Sequence, residues 1–202
     1  MQLSSKLSLT AAILAGGRST RMGSPKCLII LNNEKVIEIL LKKLNNLFQE
    51  LFIITNLPEL YFHYGYPLIG DIYPFKGPMA GIQVAMKSSK YDIFAFACDM
   101  PFIEEKLIFE LAEKHLLNKT DITVCSFQQK LYPLPGIYSK NLLSQIENLL
   151  SEDKLSLAKL IHNVKFQIME VANINKRGLS FININTQEDL EKLKNGGIKC
   201  LD

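Results

Sequence analysis

Residues 10–26, TAAILAGGRSTRMGSPK, decide how the rest of the chain is interpreted. Residues 10–14 are mostly apolar and of strand length, which predicts a buried strand. Three glycines, two arginines and one lysine follow between Gly16 and Lys26. Glycines let backbone N–H groups approach an anion closely, and arginine and lysine make charge-assisted hydrogen bonds to phosphate oxygens. The stretch therefore predicts a strand that leads into a polyphosphate-binding loop.

This loop differs from two widespread phosphate-binding motifs. A P-loop ends in Gly-Lys-Ser/Thr, whereas Gly23 is followed by Ser-Pro-Lys. The GxGxxG pattern is also absent, so a dinucleotide cofactor is not indicated. Residues 7–17 could alternatively form the apolar core of a signal peptide. Because the residues after the glycines do not resemble a cleavage site, we expect the strand.

The overall composition excludes several classes of protein. The 202 residues are 48% hydrophobic, which predicts one domain, residues 1–202, with a sizeable core. The net charge of +3 is too mild for a nucleic-acid-binding domain. No apolar run reaches the roughly 18–20 residues of a membrane span. We therefore expect neither nucleic acid nor a membrane as a partner.

The four cysteines predict no metal site and no disulfide framework. They lie far apart in the sequence, and no CxxC or CxxH pattern joins them. We expect four reduced thiols in a cytoplasmic protein. Cys27 differs from the others because it adjoins the glycine-rich loop. The four are Cys27, Cys98, Cys125 and Cys200.

Short apolar runs alternate with longer amphipathic segments along the chain. We expect strands at residues 11–14, 51–55, 93–97, 122–125, 166–171 and 181–184, with 136–138 extended. Helices are expected at residues 36–48, 79–88, 104–117, 140–150, 156–162 and 187–194. Residues 61–69 predict a short helix and then a short strand. This alternation predicts an α/β fold with a mainly parallel central sheet flanked by helices.

Polar residues at the carboxyl ends of the expected strands are the candidates for ligand binding. Asp99 follows a buried strand, and one carboxylate is enough to hold Mg²⁺ together with waters and phosphate oxygens. Asp99 could alternatively cap the next helix. Asn183 and Asn185 share one face of an expected strand, so Asn185 is a possible second group near the metal. Both asparagines could instead be turn or cap residues.

Several motifs together resemble one family. Residues 14–26, LAGGRSTRMGSPK, resemble the LAGGxSxRMGxxK signature of nucleotidyltransferases, specifically the molybdenum cofactor guanylyltransferases. Four more segments resemble that family in the same order: GPMAGI (77–82), CDMPF (98–102), PLPGIYSK (133–140) and FININTQEDL (181–190). The departures are Pro25, Met79 and Gln187, and none removes a reactive group.

The resemblance implies a reaction and a domain arrangement. The family transfers GMP from GTP to the phosphate of molybdenum-molybdopterin and releases pyrophosphate, with Mg²⁺ as cofactor. It implies a single-domain Rossmann-like nucleotidyltransferase, with a nucleotide-binding half at about 8–125, an acceptor-binding half at about 126–195 and a flexible tail at 196–202. Cofactor-delivery and molybdoenzyme-maturation proteins are the protein partners that it suggests.

The resemblance also assigns site residues. It implies catalytic roles for Arg21, Lys26 and Asp99, with Asp99 as the metal ligand and Asn185 as a candidate beside it. The nucleotide-binding residues would be Leu14, Ala15, Gly16, Gly17, Lys26, Asn56, Asp71, Gly77 and Asp99. From the sequence alone, Asn56 could equally be a turn residue and Asp71 a plain loop charge.

Three other functions remain open at this point. A cytidylyltransferase or a sugar-phosphate nucleotidyltransferase would share the loop, and only the residues that contact the base would distinguish them. The third alternative is a non-catalytic nucleotide-binding module. The PLPGIY segment favours the guanylyltransferases. The three histidines form no catalytic or metal-binding pattern, and a phosphate nucleophile needs no general base because it is already anionic.

Overall fold

The computed structural model describes residues 6–16, 25–173, 178–184 and 189. In these residues seven strands form one sheet in the order β5-β4-β1-β6-β8-β7-β9. Two further strands, β2 (Ile30–Leu31) and β3 (Glu34–Lys35), form a small hairpin. The strands of the main sheet are β1 (Leu7–Leu14), β4 (Phe48–Ile54), β5 (Leu68–Ile69), β6 (Ile93–Ala97), β7 (Ile122–Phe127), β8 (Lys130–Tyr138) and β9 (Phe166–Glu170).

The sheet is mainly parallel, as the alternation of segments predicts. Strand β1 pairs in parallel with both β4 and β6, β4 pairs in parallel with β5, and β7 pairs in parallel with β9. The exception is β8, which lies antiparallel between β6 and β7. The predicted α/β fold class is confirmed.

Helices cover both faces of the sheet. Apolar side chains of α1 and α3 pack with one set of strand residues, which includes Leu9, Ala11 and Ile13 of β1. Those of α2, α4 and α5 pack on the other face, where Ala12 of β1 points. Alternate residues of a strand face opposite sides, so β1 is buried on both. The helices are α1 (Val36–Leu44), α2 (Pro78–Ser88), α3 (Glu105–Asn118), α4 (Leu143–Ser151) and α5 (Leu157–His162).

The helix expected at residues 36–48 is shorter in the structure. Helix α1 ends at Leu44, and Phe48 begins β4. The Phe48 ring lies edge-on to Phe94 and Phe96 of β6, with centroids 5.6 and 5.8 Å away. Phe48 continues the helical spacing of apolar residues, but burial against two rings of the sheet places it in the strand.

The extended segment expected at 136–138 is a much longer strand. Strand β8 begins at Lys130, directly after a two-residue turn at Gln128 and Gln129. Both glutamines have positive φ, 50° and 62°, as the tightest hairpin turns require. Glycine or asparagine usually occupies such positions, so the sequence carries no turn signal here.

The prediction of a strand at residues 181–184 is wrong. Residues Leu179–Phe181 form a short 3₁₀ turn, and the following residues have no regular secondary structure. The segment nevertheless lies beside the end of β6, because the Ile184 N–H donates to the carbonyl oxygen of Asp99 in the turn after that strand at 3.0 Å. The helix expected at 187–194 lies almost wholly outside the described residues.

None of the helices in the described residues combines the length and the apolar composition that crossing a bilayer demands.

Gly136→Ala is expected to destabilise the fold by about 1–3 kcal/mol, because it overpacks a central strand. A Cβ atom at Gly136 would lie 2.5 Å from the Pro133 carbonyl oxygen and 2.8 Å from Val124 Cγ1. Gly70→Ala is the matched control, since its Cβ would meet its nearest atom at 3.5 Å. Urea unfolding of both variants measures the difference, and equal stabilities would contradict the expectation.

Candidate active site

The carboxyl ends of β1, β4 and β6 open into one cavity of about 640 Å³. Strand β4 lies on one side of β1, and β6, which comes later in the chain, lies on the other side. The strand order therefore changes direction at β1, which makes this edge a switch point. Ligands of open α/β sheets bind at such points. The described residues that line the cavity are Leu14, Ala15, Gly16, Pro25, Lys26, Cys27, Ile54, Asn56, Asp71, Phe75, Gly77, Pro78, Gly81, Ala97, Cys98, Asp99 and Leu134.

A lysine and an aspartate form an ion pair in the wall of this cavity. Lys26 begins a short 3₁₀ turn, Lys26–Leu28, and Asp99 lies in the turn that follows β6. The Lys26 Nζ atom donates to Asp99 Oδ2 at 3.2 Å. The side chains are 35% and 15% exposed, so both remain accessible from the cavity. A cation and an anion thus lie side by side in the cavity wall.

The cysteines next to this ion pair form a disulfide. Cys27 and Cys98 are bonded, with their Cα atoms 5.3 Å apart. The expectation of four reduced thiols is therefore wrong for this pair. The two residues are 71 positions apart in the sequence, so only the packing of the 3₁₀ turn against the end of β6 brings them together. Cys125 is a buried free thiol, as expected, and Cys200 lies outside the described residues.

An asparagine and an aspartate form a second polar pair in the cavity. Asn56 Nδ2 donates to Asp71 Oδ2 at 3.0 Å, and the Asp71 backbone N–H donates to Asn56 Oδ1 at 2.8 Å. Asp71 Oδ1 is buried and has no hydrogen-bond donor among the described residues. Burial raises the pKa of the Asp71 carboxyl, although the Asn56 amide opposes that shift. The Asp71 carboxyl in the cavity wall therefore has one oxygen whose hydrogen-bonding capacity is unused by the described residues.

Two glycines shape the wall beside this pair. Gly77 precedes α2 with a φ of 73°, a conformation that disfavours side chains. Gly81 lies one turn into α2, where a Cβ atom would be 2.9 Å from Leu14 Cδ2. The missing side chain lets α2 pack closely on the end of β1. Of the GPMAGI segment, Gly77, Pro78 and Gly81 line the cavity.

Comparisons with known proteins agree with this geometry. The model of the MobA-like NTP transferase domain matches residues 11–166. The chain is 35% identical over 196 residues to a probable molybdenum cofactor guanylyltransferase of Peptoclostridium acidaminophilum, covering 93% of this chain and 89% of the relative. It is 34% identical over 189 residues to a protein of the same description from Carboxydothermus hydrogenoformans, covering 92% and 94%.

The chain belongs to the MobA-like NTP transferase family.

The family resemblance that the sequence motifs predict is thus confirmed, and the chain is an NTP transferase. Its fold is similar to that of a crystal structure described as molybdopterin-guanine dinucleotide biosynthesis protein A from Archaeoglobus fulgidus. The TM-score is 0.81 and the identity is 23%, covering 92% of this chain and 97% of that one.

The structure brings most of the expected site residues together. The expected residues in the cavity wall are Leu14, Ala15, Gly16, Lys26, Asn56, Asp71, Gly77 and Asp99. Three others, Gly17, Arg21 and Asn185, lie outside the described residues. The Ile184 hydrogen bond to Asp99 does show that the chain passes beside Asp99 immediately before residue 185.

Sequence reasoning missed several residues of the cavity wall. Leu134 belongs to the PLPGIY segment and Cys98 to CDMPF. Both therefore lie in recognised motifs, but the motifs alone did not predict that these two side chains line the cavity. Phe75 carried none. Its backbone is left-handed, with φ of 64°, and its side chain is 67% exposed at the cavity.

The donor chemistry of Asp99 fits Mg²⁺. This ion takes one or two carboxylates and completes its octahedron with waters and phosphate oxygens. The Asp99 carboxylate already faces a cation, the Lys26 ammonium. No group of three or more His, Cys, Asp or Glu suited to a metal occurs in the part of the chain that the structure describes. Asp99 with ligand phosphates is therefore the arrangement that these residues support.

Asp71→Asn is expected to remove a pH dependence of the free energy of unfolding. Because the native pKa of Asp71 lies above its ordinary value of 3.8, the native state binds that proton more tightly than the unfolded chain. Wild-type stability therefore declines as pH rises from that value through the raised pKa, and the neutral amide avoids this loss. The variant should gain stability relative to wild type over this window and keep the gain at neutral pH.

Urea unfolding across the acidic to neutral range measures the effect, with the exposed Glu59→Gln as control. A difference between Asp71→Asn and wild type that stays constant with pH would contradict it.

Proposed function

We propose that this chain transfers GMP from GTP to the phosphate of molybdenum-molybdopterin and releases pyrophosphate. The names of its relatives and its family support this reaction. The observation that carries the choice of guanine is the Asp71 carboxylate in the cavity wall, which the described residues leave incompletely hydrogen-bonded. The site residues keep the roles that the sequence resemblance assigned to them.

Guanine suits the polar pair beside β4. Its N1–H and N2–H₂ groups are adjacent donors, and a carboxylate accepts two such hydrogen bonds side by side. Asn56 orients Asp71 through two hydrogen bonds, of which only one uses a carboxylate oxygen, so the carboxylate keeps acceptor capacity for the base. Cytosine offers an acceptor at N3 where guanine has a donor, so the same carboxylate disfavours it. Leu14, Ala15 and Gly16 would line the nucleoside beside this pair.

The phosphates would lie beside the Lys26–Asp99 ion pair. Lys26, with Arg21 of the same loop, would neutralise the phosphates and the departing pyrophosphate. Asp99 would hold Mg²⁺, which when bound neutralises phosphate charge and makes the α-phosphorus more electrophilic. Asn185 is proposed beside it. These roles position the triphosphate for in-line attack by the acceptor.

No general base is needed, since the attacking phosphate monoester is anionic at neutral pH. The three histidines are engaged elsewhere. His115 is buried and contacts Thr123 Oγ1 at 3.0 Å, whereas His63 and His162 contact aromatic rings. None of them lines the cavity. Their positions agree with a mechanism based on alignment and charge.

The acceptor would approach from the second half of the chain, at about residues 126–195. Leu134 of β8 already reaches the cavity wall from this half. We place the reaction in the cytoplasm, with proteins that deliver the cofactor and mature molybdoenzymes as partners. This follows the function proposed for the site.

Thermal-shift measurements with Mg²⁺ test the choice of nucleotide. GTP is expected to raise Tm more than CTP, UTP or ATP at equal concentration. Asp71→Asn should lower the affinity for GTP about tenfold or more, because a hydrogen bond to a charged acceptor contributes roughly 1.5–3 kcal/mol. Its affinity for ATP should change little. Stabilisation by CTP and not by GTP would overturn the proposal.

Asp99→Ala should lower turnover about 100-fold or more when GTP, Mg²⁺ and the molybdenum cofactor are supplied, because it removes the metal ligand. Lys26→Ala should raise the KM for GTP and lower kcat, since the lysine neutralises charge in both the ground state and the transition state. The exposed Lys90→Ala is the matched control. Full turnover by Asp99→Ala would refute this mechanism.

A further inference from the structure

The disulfide joins the two segments that carry the ion pair of the site. Cys27 follows Lys26 in the sequence, and Cys98 precedes Asp99. Both cysteines line the cavity, and their Cα separation of 5.3 Å lies in the range of disulfides. A covalent bond thus restrains the backbone beside the phosphate-binding lysine and the metal-binding carboxylate.

We propose that Cys27 and Cys98 are a reversible dithiol–disulfide pair whose oxidised form weakens the binding of a divalent cation at Asp99. This rests on the proposed function, which places the cation there. The oxidant is a small disulfide such as oxidised glutathione. One cysteine thiolate attacks it and releases one glutathione thiol, and the second cysteine then closes the protein disulfide and releases the other. One protein dithiol and one small disulfide therefore become one protein disulfide and two small thiols.

Competition at one carboxylate is the physical reason for the effect. Lys26 Nζ lies 3.2 Å from Asp99 Oδ2, so an arriving divalent cation meets a positive charge at its ligand. The ammonium must move towards the phosphates for the cation to bind well. With the disulfide in place, the neighbouring backbone segments cannot separate, so the ion pair can open only by rotation of the Lys26 or Asp99 side chain. In the dithiol form the 3₁₀ turn Lys26–Leu28 can shift as well.

A small thiol would approach the bond from the cavity. Cys27 is 1% exposed and Cys98 is 8% exposed, and both line the cavity among the described residues. Cys125 provides an internal control, because it is a buried free thiol in β7 and does not line the cavity. Brief alkylation of Cys125 would report unfolding of the protein rather than chemistry at the site.

Thermodynamic linkage gives a test that needs no catalysis. If the disulfide weakens cation binding by some factor, bound cation must oppose disulfide formation by the same factor. The full chain is equilibrated anaerobically in glutathione buffers of graded ratio, alone, with Mg²⁺ and GTP, or with Mg²⁺ and CTP. Thiols are then trapped by alkylation, and the Cys27–Cys98 peptide is quantified by mass spectrometry.

The midpoint is the glutathione ratio, [GSH]²/[GSSG], at which half of the protein carries the Cys27–Cys98 disulfide. Mg²⁺ and GTP together should lower this midpoint about 5-fold or more. Asp99→Asn keeps both cysteines and removes the charged ligand, so the shift should disappear in this variant. Failure of the Cys27–Cys98 bond to form in any buffer would overturn the proposal. An unshifted midpoint, or an equal shift in Asp99→Asn, would do the same.

The outcomes also separate this proposal from the proposed function. Transfer of GMP by a chain with an unshifted midpoint would refute the redox coupling alone. A shifted midpoint in a chain that transfers no GMP would refute the proposed function and leave the coupling standing. A midpoint shift with CTP and none with GTP would support the redox coupling and identify CTP, not GTP, as the nucleotide that binds.

Discussion

The parallel pairing of β1 with β4 on one side and β6 on the other is the constraint on which the site depends. Leu14 pairs with both Ile54 and Ala97, so three strands end at the same level of the sheet. Residues that follow these ends are distant in the sequence and yet line one cavity. Because the sheet is buried on both faces, its carboxyl edge is where polar groups meet a ligand.

The two carboxylates of the cavity are made different by their neighbours. Asp99 faces the Lys26 ammonium. The Asp99 carboxylate is therefore suited to release this cation and to bind another in its place. Asp71 faces the amide of Asn56, and burial raises its pKa. A ligand with paired N–H donors would offset that burial. One cavity thus holds two carboxylates in different surroundings, for which we propose separate roles towards a metal–phosphate group and a base.

Much of the fold could be predicted because apolar patterns reflect burial. Strand β6 has the expected bounds, and the short helix and strand expected at 61–69 occur as the 3₁₀ turn Phe62–Tyr64 and β5. The predictions failed where distant contacts override local pattern. Phe48 joins a strand because two phenylalanines of β6 pack against it. Gln128 and Gln129 adopt left-handed conformations because β7 and β8 pair on either side of them.

The sequence by itself determined the fold class, the family and about half of the residues of the cavity wall, because strand exits and motifs are local features of the chain. Only the tertiary structure decided which of these groups are partners. The Lys26–Asp99 ion pair, the Asn56–Asp71 pair and the Cys27–Cys98 bond each join two strand exits that are remote in sequence. Their pairing follows from strand order and register, which arise from packing of the whole sheet and not from any one segment.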